Sequence, residues 1–164
     1  MKSQAWSMDF VSSVVIFVTA IVILSLAVSY VVSQNVQQKE INRIEELALS
    51  ISDALIRTQG YPEDWNETNV INIGLASEEN ILNESKVRIF IENLSDDVIM
   101  HRFGAGDCKF YFELRDINGE IFEIESGVNA TKGEYPTSPE ISIPVERFVL
   151  YRNRPSKILF ILWK

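Results

Sequence analysis

Histidine and cysteine, side chains suited to nucleophilic and metal chemistry, are scarce in this 164-residue chain. His101 is the single histidine and Cys108 the single cysteine. One of each cannot supply the four His and Cys ligands of a structural zinc site. A Cys-His nucleophilic pair is arithmetically available. Cys108, however, opens an alternating run in which Cys108, Phe110, Phe112 and Leu114 share one face, so an inert buried thiol is the favoured reading. Asp116-Ile117-Asn118-Gly119-Glu120 carries the first ligands of a calcium loop but lacks the later ones, and reads instead as a hairpin turn. There is no phosphate-binding loop, no Gly-x-Ser-x-Gly and no metalloprotease helix motif. The expectation is a protein that is not an enzyme, with no catalytic residue, no metal ligand and no cofactor.

The element that organises the chain is its N-terminal stretch. Residues 10–33 are 24 positions without a charge, a glycine or a proline. About 20 apolar residues cross the hydrocarbon core of a bilayer, and at about 1.5 Å per residue this run reaches about 36 Å. Val and Ile dominate it, which favours strand in water. In lipid a single segment must pair its own backbone groups, so it must be a helix. The alternative, a buried core helix, has to accommodate an unusually long uncharged run. From Gln34 the chain turns polar while Ile41, Ile44, Ala48, Ile51 and Leu55 keep a single apolar stripe at alternating spacings of three and four. Gly60 and Pro62 are the first breakers. The pattern predicts one helix over residues 4–59, about 80 Å long. Residues 10–33 form its transmembrane or filament-core half and residues 34–59 its amphipathic half.

Residues 60–164 form the remaining domain, an α+β head. It carries 11 Lys and Arg against 18 Asp and Glu, nearly all of the chain's net charge of −8. An acidic head argues against nucleic acid, which favours basic stripes. One cysteine excludes an intrachain disulfide. Residues 84–94 fit helical spacing, with Asn83 or Ser85 as caps, and Ser95 opens a second short helix ended by Gly104. Alternating residues 108–115 and 121–125 across Asp116-Gly119 predict a hairpin. Residues 127–139 read as a polar loop. A second hairpin is expected across Asn153-Arg154-Pro155, with its last strand apolar on both faces and therefore central. The expected architecture is a four-stranded antiparallel sheet laid against the amphipathic half of the long helix, with Trp65 as an anchor between them. Four Asn-x-Ser/Thr tripeptides, at Asn66, Asn83, Asn93 and Asn129, are candidate glycosylation sites on an exported head, with Asn66 and Asn129 expected in exposed loops.

The residues before the span carry a further signal. Lys2, Ser3 and Gln4, followed by a hydroxyl residue and Asp9 just ahead of an uncharged helix, resemble archaeal type IV pilins and pilin-like proteins with a class III signal peptide. The exit at residues 60–66, leading to Gly74-Leu75-Ala76 and Lys86, resembles the same family more loosely. The resemblance implies cleavage by a prepilin peptidase between Ser3 and Gln4, so that residues 1–3 are a leader recognised through Lys2 and Ser3. Ser3 stands where glycine is commoner, and the acid is Asp at the sixth mature position rather than Glu at the fifth. Asp9 is then available to pair with the new α-amino group of a neighbour's Gln4. The alternative is an interfacial acid that starts the helix and suits its positive end.

The resemblance implies a structural subunit of a pilus-like surface filament, such as one used in cell adhesion. The subunit sits in the cytoplasmic membrane before assembly, its N-terminus inside and its head outside. Its partners would be copies of itself or other pilins, the prepilin peptidase and the pilus assembly machinery. The rival is a single-pass anchored protein whose head binds or scaffolds a partner outside the cell without polymerising.

Overall fold

The computed structural model describes residues 3–124 and 127–164. Lys2 lies outside these residues, and the side chains of residues 3–7 and 36 are likewise not described. The chain divides into two compact units, one up to Asn42 and one over Arg43–Lys164. Helix α1, Ser3–Arg57, supplies the first unit and the opening segment of the second.

In the second unit α1 is followed by β1 (Ala76–Glu78), β2 (Ile81–Leu82), α2 (Glu84–Glu92), α3 (Asp96–Arg102), β3 (Lys109–Asp116), β4 (Thr131–Gly133), β5 (Ser142–Tyr151) and β6 (Arg154–Trp163). The fold is α+β, as the sequence pattern predicts. The sheet differs from expectation. It is six-stranded and mixed, in the order β1-β2-β5-β6-β3-β4, rather than four-stranded and antiparallel. The additional strands have two or three residues each, too short to carry a period. β2 joins β5 in parallel through one residue pair, Ile81 with Leu150, and the Asn80 carbonyl beside it accepts from Leu150 N at 2.8 Å. β4 lies inside the segment expected to be a polar loop.

The hairpins also need correction. The Asp116-Gly119 turn forms, but residues 121–124 do not become a strand. Ile121 and Glu123 make only isolated bridges, to Arg115 and Asn129. β6 occupies one edge of β3 along all eight residues, and β4 takes residues 111–113 on the other. The return segment is thus limited to the far end, where Phe122 N donates to Leu114 O and Leu114 N donates to Ala130 O. The β5–β6 turn consists of Arg152 and Asn153, with φ of 51° and 58°, so Arg154 and Pro155 already belong to β6. Two positive φ values make the two-residue turn whose twist matches antiparallel strands.

The apolar stripe of α1 enters the core through Ile44, Ala48, Ile51, Leu55 and Ile56. It packs with Val87, Phe90 and Ile91 of α2, Ile99 and Met100 of α3, and one face of the sheet. That face presents Phe110, Phe112 and Leu114 of β3, Val145, Val149 and Tyr151 of β5, and Ile158, Phe160 and Leu162 of β6. Phe90 meets Phe112 edge-on at 5.2 Å, a favoured aromatic geometry. β6 is the central strand, buried on both faces over much of its length, as its doubly apolar sequence requires. On the opposite face Tyr135 meets Tyr111 edge-on, and the Glu134 carbonyl accepts from Trp163 Nε1 at 2.9 Å.

The helices start where short polar residues predict. The Asn83 side chain caps α2 by accepting from Ser85 N and Lys86 N, and Ser95 caps α3 by accepting from Val98 N.

Candidate functional site

The candidate site is the outer surface of α1 in the first unit. Every side chain over residues 8–35 is exposed, including Phe10 at 70 %, Phe17 at 67 % and Leu24 at 65 %. A helix apolar on all sides has no face to turn towards water. Four of the polar side chains within it return to their own backbone. Ser13 Oγ donates to Asp9 O at 2.8 Å, Thr19 Oγ1 to Val15 O at 2.7 Å, and Ser33 Oγ to Tyr30 O at 2.8 Å. Asn35 Nδ2 donates to Val31 O at 2.9 Å. Each hydroxyl or amide proton so placed is satisfied without water, which suits an apolar medium. The helix is long and apolar enough to cross a membrane.

Ser3 and Gln4 begin α1 in the structure, and Asp9 follows as an exposed residue. No acid lies in the first turn. Asp9 lies six residues into the described helix. Past the span, Gln38 Nε2 donates to Asn42 Oδ1 at 2.8 Å along the polar surface of the same helix.

In the second unit the C-terminal end of α1 is bound into the head. A helix ends with carbonyls that lack intrahelical donors. Here Leu55 O accepts from Leu75 N at 2.8 Å, Ile56 O from Asn80 N at 2.8 Å, and Thr58 O from Ala76 N at 3.1 Å. Gln59 O accepts from Lys86 Nζ at 2.6 Å and from Trp65 Nε1 at 3.0 Å. Trp65, 2 % exposed, also donates to Gly74 O at 3.0 Å, so it is the anchor the sequence suggests. Two glycines permit this closeness. Gly60 has φ +80° with the Trp65 indole against its Cα, and a Cβ on Gly74 would meet Thr58 O. Lys86 is a buried cation at the negative end of α1. Burial lowers its pKa from the ordinary lysine value, and the Glu63 carboxylate opposes that shift. Sequence reading overlooks Lys86 and Gly74 as parts of a helix cap, because their partners are backbone carbonyls distant in the chain.

The other candidates behave as follows. His101 and Cys108 line one open pocket with Asp97, Lys109 and Glu134. Burial, with the Asp107 carboxylate, raises the Cys108 thiol above its ordinary value, the opposite of nucleophile activation. Asp116 Oδ1 accepts from Glu120 N at 2.9 Å and Asn118 N at 2.8 Å, so its carboxylate closes the turn, and the backbone bonds hold its pKa low. Among the described residues no group of three or more His, Cys, Asp and Glu is placed to hold a metal ion. The loops at residues 60–72 and 128–139 present Tyr61, Ile71, Val128 and Tyr135 to solvent. Of the four candidate glycosylation residues, Asn129 and Asn93 are exposed, while Asn66 and Asn83 are half-buried.

Compared with known proteins, this chain matches no family model, no curated protein and no solved structure.

Proposed function

We propose that this chain is a non-enzymatic structural subunit of a type IV pilus-like surface filament, held in the cytoplasmic membrane before assembly. The observation that carries the reading is the α1 surface over residues 8–35. It is uncharged from residue 10 to residue 33, exposed on every side, and its described polar bonds turn inward to its own backbone. Such a surface is compatible with lipid and equally with a bundle of like helices. Moving from lipid into a bundle exchanges tail contacts for helix contacts, so close packing supplies the driving force. The resemblance of Lys2, Ser3, Gln4 and Asp9 to a class III leader with its acid supports cleavage between Ser3 and Gln4. The freed α-amino group of Gln4 would then face Asp9 of a neighbouring subunit, a pairing that lessens the cost of a carboxylate beside an apolar core. In this reading the N-terminus is inside, the acidic head outside, and the loops at residues 60–72 and 128–139 meet surfaces or partners.

The test is the intact N-terminus of the protein recovered from native membranes, measured by mass spectrometry. A terminus at Gln4, with the protein present in sheared filaments, is the expected result. An intact Met1, or loss of Met1 alone, overturns the filament reading in favour of a permanently anchored binding protein.

A further inference from the structure

The fold treats the four Asn-x-Ser/Thr tripeptides differently, and the differences select one of them. A glycosyl transferase must hold both the asparagine carboxamide and the hydroxyl residue two positions on, so the tripeptide has to leave its native contacts. Asn83 caps α2 through Ser85 N at 3.0 Å and Lys86 N at 3.2 Å, so drawing it out uncaps a helix. Asn93 closes α2, Leu94 beside it is buried in the core, and Ser95 caps α3. Asn129 is exposed, but Ala130 is fully buried. The Ala130 N–H donates to Phe122 O at 2.7 Å and its carbonyl accepts from Leu114 N at 2.9 Å. Thr131 then enters β4 opposite Glu113. Removing any of these three tripeptides disrupts a cap, a buried side chain or a ladder.

Asn66-Glu67-Thr68 is the exception. It lies in a turn outside every helix and strand, with Glu67 and Thr68 exposed. The turn is held at its ends by buried Trp65 and Val70. Within it, Thr68 N and Thr68 Oγ1 both donate to Asn66 Oδ1, at 2.9 Å and 2.7 Å. Two donors on that oxygen identify it as the carbonyl end and leave Nδ2 on the other side of the planar carboxamide. They also draw electron density from the amide, which makes its N–H protons easier to remove. The hydroxyl and the carboxamide that the transferase must engage together are therefore already neighbours.

We propose that Asn66 is the acceptor for an N-linked glycan delivered from a polyprenyl-linked oligosaccharide phosphate. The Asn66 Nδ2–sugar C1 bond forms and the C1–oxygen bond to the phosphate breaks. The lipid phosphate leaves with the electron pair, and a carboxylate of the transferase takes the amide proton. The outward head of the reading above matters only for where the chain meets its donor. The test therefore uses the purified full chain in detergent, a transferase requiring nothing beyond the tripeptide, and a lipid-linked oligosaccharide donor. Peptide mass spectrometry is expected to place the added mass on Asn66 in the folded chain and on all four asparagines after denaturation. Asn66→Gln is expected to abolish modification of the folded chain, and Thr68→Ser to retain it. Equal modification of Asn83, Asn93 or Asn129 in the folded chain overturns the proposal, as does an unmodified Asn66. Neither outcome depends on the state of the N-terminus, so the filament reading stands or falls separately.

Discussion

Residues 8–35 and residues 44–56 belong to the same helix, yet the first stretch is exposed on every side and the second is buried along one stripe. In the first stretch every side chain is exposed, and Ser13, Thr19, Ser33 and Asn35 bond back to their own turn. In the second, one stripe is buried to within a few per cent, and the polar groups at its end are held by residues far along the chain. A lipid-soluble helix must satisfy its hydrogen bonds within itself. A helix that enters a folded head can leave them for tertiary partners. The helix thus shows two solutions to one accounting problem, and mutation separates them.

The largest effect is expected in the core of the head. Phe160→Ala removes a fully buried ring stacked near Phe110 and should destabilise the head by about 3–5 kcal/mol, read from denaturant unfolding in detergent. Membrane insertion of the same variant should be unchanged, and a defect there would break the distinction. The converse is Ile21→Lys in mid-span. A lysine at a helix centre costs about 2.5–3.5 kcal/mol of insertion free energy. It should reduce membrane yield and, on the proposed function, abolish filaments while leaving the unfolding midpoint of the head in place. Filaments at undiminished yield would sink the helix-core model.

Lys86→Met probes the join. It removes one donor from Gln59 O while keeping most of the apolar stem, and a loss of about 1.5 kcal/mol is expected. No loss would mean that Trp65 alone satisfies that carbonyl. The smallest effect is a titration. Tyr111 is pushed up to about 12 by burial and by its hydrogen bond to Glu113. Its folded value exceeds that of a free tyrosine, about 10. Its stabilising contribution is therefore complete below pH 10 and is lost as pH rises towards 12. Absorbance at alkaline pH should show tyrosine ionisation extending towards pH 12, and Tyr111→Phe should diminish that late step.

The sequence made the long-range plan legible where one residue property repeats. The uncharged run, the Ile44–Leu55 stripe, the alternation through Phe110 and Phe112, and the doubly apolar β6 each depend on the local pattern alone. The Asn83 and Ser95 caps are visible for the same reason, since the bonds they make are two or three residues away. What stayed hidden is determined by neighbours distant in sequence. Residues 121–125 alternate like a strand, but the edge they would need is shared with β4. β2 has two residues and exists because Leu150 N finds Asn80 O. The Arg152-Asn153 turn has no glycine to announce its positive φ. In the candidate site the span was readable, whereas the cap on its far end was not. Backbone carbonyls accept from whichever donor arrives, and Lys86 and Leu75 carry no mark of that role.

That cap has a mechanical consequence. A pull along α1 from its N-terminal side arrives at carbonyls gripped from separate segments: Leu75 just before the small hairpin, Ala76 and Asn80 within it, and Lys86 on α2. Such a joint spreads its load over several attachments. Tension that would unravel a frayed helix end is instead passed through β2 into β5 and the middle of the sheet, where Phe160 and its neighbours bear it.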